Sequence, residues 1–301
     1  MKKTRVAVVG LGNVGKGALD AIETAPDMEL AGIVVREHRI SGLRKTYPAV
    51  AVVSDIRQLE EVDVTILAAP SRSVPELAQE VLALGICTVD SFDIHGQELW
   101  QLRQDLEEVA RAAGAVAISA AGWDPGTDSM IRAIFAMQAP RGISYTNFGP
   151  GMSMGHTVAA KQIPGVKNAL SMTLPQGLGQ HKRAVYVELE PEAELAAVKE
   201  AVLRDPYFSH DETQVLAVAD VEELMDFGHG VLLERRGVAG KTGNQVFRYE
   251  SRMTNPAVTG QVLVSAARAT QRLPAGAYTM LEVPLACFLP GELQDIVERL
   301  V

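Results

Sequence analysis

Residues 5–15 read RVAVVGLGNVG, a short apolar run that leads directly into the pattern G-x-G-x-x-G. The run is typical of a β-strand buried on both faces, and residues 16–24 have helical periodicity. At such a turn the backbone can approach a pyrophosphate, and the helix N-terminus offers it free N–H groups. The sequence therefore predicts a dinucleotide-binding loop, with a tight turn that binds no ligand as the alternative. The predicted contacts are Gly10, Leu11, Gly12, Asn13, Val14 and Gly15, together with Ala69, Pro70 and Ser71 after a later strand pattern.

Strand and helix patterns alternate over the first 120 residues. Helices are predicted at 16–24, 74–84 and 97–113. The intervening apolar runs predict strands at 5–9, 30–35, 49–53, 64–69, 86–89 and 115–119. This alternation predicts an α/β fold, a Rossmann-like doubly wound parallel sheet.

The pattern changes after residue 123. A helix predicted at 128–137 precedes mainly strand signals, at 144–148, 169–174, 183–189, 213–218, 231–235 and 246–253, with one helix at 191–203. Runs of strands with one helix predict an α+β domain on an open sheet. A last helix at 255–273 is expected to pack back on the first domain. The predicted domains are residues 1–122 with 254–301, which form a discontinuous dinucleotide-binding domain, and residues 123–253.

Composition excludes several classes of protein. The chain has 301 residues, 37 acidic and 28 basic, and a net charge of −9, which disfavours nucleic acid as a partner. Cys87 and Cys287 are isolated in the sequence, so neither a disulfide framework nor a structural metal site is predicted. No apolar run approaches the 18 residues of a membrane span, and we expect a cytoplasmic protein.

The residues after the second strand bear on the choice of cofactor. They read Arg36-Glu37-His38-Arg39. A guanidinium at this point can stack on adenine and pair with a 2′-phosphate, whereas an NAD-binding protein places a carboxylate on the ribose. Arg36 and Arg39 therefore favour NADP, and Glu37 lies one residue late for the NAD role. The alternative is that these are solvated charges at a strand end.

Two carboxylates follow the fifth and sixth predicted strands. Asp93 lies after the fifth strand, and Trp123-Asp124 lies after the sixth. Ligands of open α/β sheets bind at the carboxyl ends of the strands, so both acidic side chains are candidates for the site. A pair of carboxylates suits a substrate with an ammonium group rather than an anionic one.

Specific motifs extend along nearly the whole chain. They are CTVDSFD (87–93), GWDPG (122–126), FGPGMSMGH (148–156), HKR (181–183) and AGAYTMLEV (275–283). With these motifs the sequence resembles the meso-diaminopimelate dehydrogenases. The resemblance implies reversible, NADP-dependent oxidative deamination at the D-configured carbon of meso-2,6-diaminopimelate, which yields L-2-amino-6-oxopimelate and ammonia for lysine and cell-wall precursor synthesis. It also implies a homo-oligomer built from dimers, with substrate binding and dimerisation in the second domain.

The resemblance assigns roles residue by residue. Asp93 and Asp124 match the catalytic pair that holds the reacting amino group. The matched substrate contacts are Trp123, Phe148, Met154, Gly155, Thr173, Arg183, His229 and Asn255. Phe148 and Met154 stand where better-known members have Trp and Gln, and Val35 and Glu37 replace a Ser and an Arg of the 2′-phosphate pocket. With a shorter stretch at 175–181, the chain is similar to a second subgroup that accepts more varied 2-oxo acids.

Two other functions fit a dinucleotide domain followed by a sheet domain. A dihydrodipicolinate- or semialdehyde-type reductase would need no pair of aspartates and no ammonia. An NADP-binding sensor would bind the cofactor without turnover, and the acidic pair together with Arg183 and His229 argues against it.

Overall fold

The computed structural model describes residues 3–209, 211–224 and 228–301, with only the backbone of Met154 and Gly155. The chain divides into two compact units, residues 1–130 with 256–301 and residues 131–255. The first boundary falls eight residues later than the one drawn from the sequence, after residue 130 rather than 122, and the second falls two residues later, after 255 rather than 253. No helix of the described ranges is long and apolar enough to cross a bilayer.

The first unit is built on a seven-stranded sheet in which every pairing is parallel. Numbered in chain order, its strands are β1 (Thr4–Val9), β2 (Met28–Val34), β3 (Val52–Val53), β4 (Val64–Leu67), β5 (Cys87–Asp90), β6 (Val116–Ser119) and β14 (Gly276–Thr279). Their spatial order is β14-β6-β5-β4-β1-β2-β3. The order reverses between β1 and β4, the point at which ligands bind in open α/β sheets.

Helices cover both faces of this sheet. They are α1 (Asn13–Thr24), α2 (Glu37–Thr46), α3 (Val74–Leu82), α4 (Gln97–Ala113), α8 (Asn255–Thr270) and α9 (Leu293–Leu300), while α5 (Thr127–Gln138) begins in this unit and continues into the next. Successive residues of β1 enter different apolar clusters: Val6 and Val8 pack with Leu263 of α8, and Ala7 packs with Leu106 of α4. A strand buried on both faces reads as a continuous apolar run, so the predicted α/β class is confirmed.

The C-terminal segment contributes a strand as well as helices. β14 pairs with β6 from Gly276↔Val116 to Thr279↔Ser119. The sequence predicted helices alone here, because four residues bounded by glycine and a 3-10 turn carry too little periodicity to detect. α8 packs closely on α1, since a Cβ added to Gly260 would lie 2.4 Å from the carbonyl carbon of Gly17. The short helices α2 and α9 were also absent from the prediction.

The second unit contains two sheets rather than one. Its strands are β7 (Arg141–Phe148), β8 (Gly151–Met152), β9 (Val166–Gly177), β10 (Gln180–Leu189), β11 (Glu212–Ala217), β12 (His229–Ala239) and β13 (Thr242–Met253). One sheet has the order β11-β10-β9-β8 and the other β13-β12-β7. Two helices, α6 (Met154–Lys161) and α7 (Leu195–Arg204), accompany them. α6 was absent from the prediction, because eight residues that include a glycine give a weak helical signal.

Candidate active site

The glycine loop has the tight and open positions that a dinucleotide requires. Gly10 has φ +89°, and a Cβ there would lie 2.3 Å from the carbonyl oxygen of Ala68. A Cβ on Gly15 would lie 2.3 Å from the carbonyl oxygen of Gly10, whereas one on Gly12 would meet no atom within 4 Å. Gly12 is also the N-cap of α1 and leaves the first N–H groups without a side-chain cap. A phosphate therefore has both room and donors at this loop.

The charged residues after β2 lie at the start of α2. Arg36 is the N-cap of that helix, and Glu37 lies in its first turn. Both side chains are exposed, as is that of Arg39. Arg39 reaches back to the glycine loop, where its Nη2 donates to the carbonyl oxygen of Leu11 at 3.1 Å. Arg39, one of the two basic groups that favour a 2′-phosphate, is thus joined to the loop that fits the pyrophosphate.

Ser71 connects the predicted cofactor loop to a predicted catalytic carboxylate. Its Oγ donates to Oδ1 of Asp93 at 2.5 Å and accepts from the Asp93 N–H at 3.1 Å. Ser71 begins the 3-10 turn after β4, four residues beyond the end of that strand. Parallel strands end at one edge of the sheet, which explains how residues from two loops meet there.

Asp90 is a site feature that sequence reasoning missed. It ends β5 with no exposed surface, and its Oδ1 accepts from the N–H groups of Phe92 at 2.9 Å and Ala120 at 3.0 Å. Its Oδ2 accepts from Ser119 Oγ at 2.9 Å. Burial raises the pKa of the Asp90 carboxyl above its ordinary value, although the three hydrogen bonds oppose that rise. An aspartate that ends an otherwise apolar strand was the available signal.

The loop that carries Trp123 and Asp124 is closed tightly on itself. Gly126 has φ +140°, and a Cβ there would lie 1.9 Å from the carbonyl oxygen of Gly122. Trp123 is buried, and its carbonyl accepts from the N–H of Asp128 at 2.9 Å. A Cβ on Gly122 would lie 3.8 Å from the Cβ of Ser91, so the loops after β5 and β6 are neighbours. Asp93 and Asp124 each lie two residues beyond that contact.

Three predicted substrate residues lie near one another in the second unit. Thr173 and Arg183 are partners in the β9–β10 ladder, and Arg183 Nη1 donates to Thr173 Oγ1 at 3.0 Å. Gly151 pairs with Thr173, and a Cβ on Gly151 would lie 2.9 Å from the Cα of His229. Burial lowers the pKa of His229, which favours the neutral imidazole.

Arg183 has an acidic partner that the sequence did not indicate. Its Nε donates to Oδ2 of Asp211, one residue before β11. Two histidines flank the same carboxylate: His181 Nε2 lies 3.5 Å from Oδ1, and His156 Nε2 lies 4.0 Å from Oδ2. Burial raises the pKa of Asp211, but Arg183 and the two histidines outweigh it, so the pKa is lowered overall.

The other predicted substrate residues of the second unit lie on separate elements. Phe148 ends β7 and is 40% exposed, and Asn255 is the first residue of α8. Met154 and Gly155 begin α6, so their main chain is helical. Within the described ranges, no group of three His, Cys, Asp or Glu side chains is arranged to hold a metal ion.

A glycine loop and two carboxylate-bearing loops on one edge of a parallel sheet place the chain among the dinucleotide-binding α/β proteins. The family model described as diaminopimelic acid dehydrogenase C-terminal domain matches residues 122–255. The meso-diaminopimelate D-dehydrogenase of Bacteroides fragilis is 52% identical over 304 residues, covering 100% of both chains. That of Corynebacterium glutamicum is 31% identical over 325 residues, covering 99% of both. The chain belongs to the meso-diaminopimelate D-dehydrogenase family, and the resemblance predicted from its motifs is confirmed.

Solved structures agree with this assignment. The C. glutamicum diaminopimelate dehydrogenase in complex with diaminopimelate is 30% identical, with a TM-score of 0.79 over 100% of both chains. An engineered D-amino acid dehydrogenase bound to NADP+ is 28% identical, with a TM-score of 0.70 over 100% of both chains. A dihydrodipicolinate reductase from Paenisporosarcina sp. TG-14 is 14% identical, with a TM-score of 0.52 over 94% of this chain and 100% of its own, a likeness of fold alone.

Proposed function

We propose that this enzyme catalyses the reversible, NADP-dependent oxidative deamination of meso-2,6-diaminopimelate at its D-centre, which yields L-2-amino-6-oxopimelate and ammonia. The observation that carries the proposal is the pair of neighbouring loops after β5 and β6. These loops bear Asp93 and Asp124 at the same edge of the parallel sheet as the glycine loop after β1. Membership of the family supports the same substrate. The proposal includes a dimer-based oligomer and a cytoplasmic role in lysine and cell-wall precursor synthesis.

The glycine loop and the charges after β2 fit NADP. The open space at Gly12 and the uncapped start of α1 suit the pyrophosphate. Arg36 and Arg39 are assigned to the 2′-phosphate, and the loop of Ala69, Pro70 and Ser71 to the rest of the cofactor. When bound, the nicotinamide supplies the hydride acceptor.

Asp93 and Asp124 are assigned to the reacting amino group. The substrate ammonium must lose a proton before its nitrogen lone pair can form the imine as hydride leaves the D-carbon. Ser71 engages Oδ1 of Asp93, so we assign Oδ2 of Asp93 as the proton acceptor. Asp124 is assigned as the electrostatic anchor, since a carboxylate stabilises the positive charge that develops on the iminium nitrogen. Hydrolysis of the imine then releases ammonia.

The remaining assigned residues position the substrate. Trp123 is assigned to hold the D-carbon and to limit the access of water during hydride transfer. Thr173 and Arg183 are assigned to the distal carboxylate, because a guanidinium and a hydroxyl together form a directional carboxylate site. The other proposed contacts are Phe148, His229 and Asn255, with the main chain of Met154 and Gly155.

The test is an assay of NADPH formation with the meso, LL and DD isomers of diaminopimelate, compared between the unmodified enzyme and Asp124→Asn. We expect activity on the meso isomer and none on LL, which has no D-centre. Asp124→Asn should lower turnover by roughly 100-fold or more, with NADP binding unchanged. Asp20→Asn, which removes an exposed carboxylate from α1, is the matched control.

Two outcomes would contradict the proposal. Unchanged turnover in Asp124→Asn would remove that residue from the reaction centre. Consumption of NADPH with a 2-oxo acid or another acceptor in the absence of ammonia would favour the reductase alternative instead.

A further inference from the structure

The second unit presents a positive and a negative side chain in direct contact at the residues assigned to the distal end of the substrate. We propose that Asp211 binds the distal ammonium of diaminopimelate while Arg183 binds the distal carboxylate. Asp211 is then a specificity-determining residue that recognises the far end of the substrate as a zwitterion. This inference rests on the proposed function.

Arg183 keeps donors for a ligand after its contacts within the protein are counted. It is 8% exposed, and its Nε, Nη1 and Nη2 contact Asp211, Thr173 and His181 in turn. A guanidinium carries five N–H donors, and these contacts use three of them. The two remaining donors lie one on each terminal nitrogen, and a carboxylate has an oxygen for each of them.

Asp211 likewise keeps acceptors for a ligand. A carboxylate offers about four lone-pair sites. Arg183 occupies one of them at Oδ2, and the two flanking histidines lie 3.5 Å from Oδ1 and 4.0 Å from Oδ2, so at least one site is left for a ligand. The Asp211 side chain is 22% exposed, so a ligand can reach it. Its lowered pKa keeps the group ionised at neutral pH. The carboxylate is therefore available to accept from an ammonium.

The charge balance of this pair decides which ligand fits. An arginine alone attracts any carboxylate, including that of a substrate with no second amino group. Because Asp211 contacts the Nε of Arg183, the site carries a negative as well as a positive charge, and its attraction for a lone carboxylate is weaker. A distal head group that also carries an ammonium is attracted to Asp211, and this second attraction offsets the weaker binding of its carboxylate. The pair thus selects against compounds that have the distal carboxylate only.

A purely structural role for the ion pair makes a different prediction. Arg183 lies on β10 and Asp211 just before β11, and these strands pair in parallel from Lys182↔Glu212. A clamp between strand ends would stabilise the unit equally whatever the substrate. Loss of such a clamp would lower the activity on all substrates in parallel.

The experiment compares meso-diaminopimelate with D-2-aminopimelate, which has the same reacting centre and distal carboxylate but no distal ammonium. We expect the unmodified enzyme to prefer meso-diaminopimelate by roughly 10- to 100-fold in kcat/KM, as for a charge-assisted contact. In Asp211→Asn, which keeps an acceptor for Arg183 Nε, that preference should fall to within about threefold. The change should arise from KM for meso-diaminopimelate, with kcat little altered. Glu212→Gln removes the adjacent exposed carboxylate and should keep the full preference.

An unchanged preference in Asp211→Asn, or parallel losses on both compounds, would assign the pair a structural role and overturn the inference. Equal efficiency of the unmodified enzyme on the two compounds would overturn it as well, whether or not the variant folds. Calorimetric binding of the two compounds measures the same discrimination without turnover. A protein that binds the meso compound preferentially through Asp211 but does not oxidise it would support the inference and refute the proposed reaction.

Discussion

At the start of α2, two arginines and one glutamate lie where the ribose end of a dinucleotide is expected. Arg39 donates to the carbonyl oxygen of Leu11 in the glycine loop, whereas Arg36 occupies the N-cap position of the helix with its side chain exposed. A guanidinium attracts a 2′-phosphate and Glu37 repels it, so the cofactor preference depends on which of these charges faces the ligand.

Arg36→Ala tests this balance. We expect the variant to lose most of the preference for NADP, roughly 10- to 100-fold, because a charge-assisted phosphate contact contributes about 1.5–3 kcal/mol. Activity with NAD should change little. The measurement is kcat/KM with each cofactor, and Lys45→Ala, an exposed cation in the last turn of the same helix, is the control. Equal efficiencies with both cofactors in the unmodified enzyme would show that Glu37 determines the outcome.

Individual residues were predictable where a motif specifies them and unpredictable where a tertiary contact does. The glycines and the aspartates after β5 and β6 are recognisable from their position beside strand patterns. Asp90 is unusual only as an acidic residue at the end of an apolar strand, and its role, like that of Asp211, depends on partners in other strands and loops, such as Ala120 and Arg183. A sequence read along the chain contains no signal for such pairs.

At the scale of elements, Asp90 joins the ends of two neighbouring strands. One carboxylate oxygen accepts N–H groups from the loop after β5 and from the end of β6, and the other accepts the hydroxyl of Ser119. The loops that bear Asp93 and Asp124 continue directly from these points. Asp90 thus holds the first residues of the two loops at a fixed distance from each other.

Two substitutions of Asp90 distinguish its role as a hydrogen-bond acceptor for the two loops from any role of its negative charge. Asp90→Ala leaves two N–H groups and a hydroxyl without their acceptor, and we expect kcat to fall roughly 10- to 100-fold as the loops shift. Asp90→Asn keeps an acceptor for both N–H groups and should restore most of kcat. Hydrogen exchange over residues 91–96 and 120–126 should rise in the Ala variant only. Equal losses in the Asn and Ala variants would instead assign a role to the charge of Asp90.

Length and local periodicity decided which elements were predictable. The predicted bounds of α4, residues 97–113, agree with the structure at both ends, since 17 residues give several turns of amphipathic pattern and Gly114 ends the helix in the left-handed region. α6 and β14 were missed because each is short and contains a glycine. The division of the second unit into two sheets was also hidden, since periodicity identifies strands but not their partners.

At the scale of the molecule, residues from both ends of the sequence hold the first unit together. Arg268 of α8 is buried and donates from Nε and Nη2 to the carboxylate of Asp27, 241 positions away, at 2.5 and 2.8 Å. Its Nη1 donates to the carbonyl oxygen of Phe288 at 3.0 Å. The sequence predicted that this segment returns to the first domain, but it contained no signal for the ion pair.

This pair should contribute to stability in a pH-dependent way. The hydrogen bond from Arg268 lowers the pKa of Asp27, so its contribution is complete above the unfolded pKa of about 3.9 and is lost as the pH falls through the lower folded value. Asp27→Asn should cost about 1–2 kcal/mol at neutral pH, an amount reduced by the partial exposure of Asp27. Denaturant titrations at pH 7 and pH 3 measure this difference, with Asp20→Asn as the control. A cost that does not shrink at pH 3 would argue against the ion pair as its source.

The pairing of β14 with β6 has a consequence for the order in which the chain can fold during synthesis. The segment that forms the second unit, residues 131–255, emerges from the ribosome before β14 does. Domains generally fold as units while translation proceeds, so this segment can fold while β6 still exposes an unpaired edge. The first unit, whose synthesis begins before that of the second, is therefore the last to be completed. Until residues 276–279 emerge, the nascent chain carries an unpaired strand edge at β6, which is a site of mispairing.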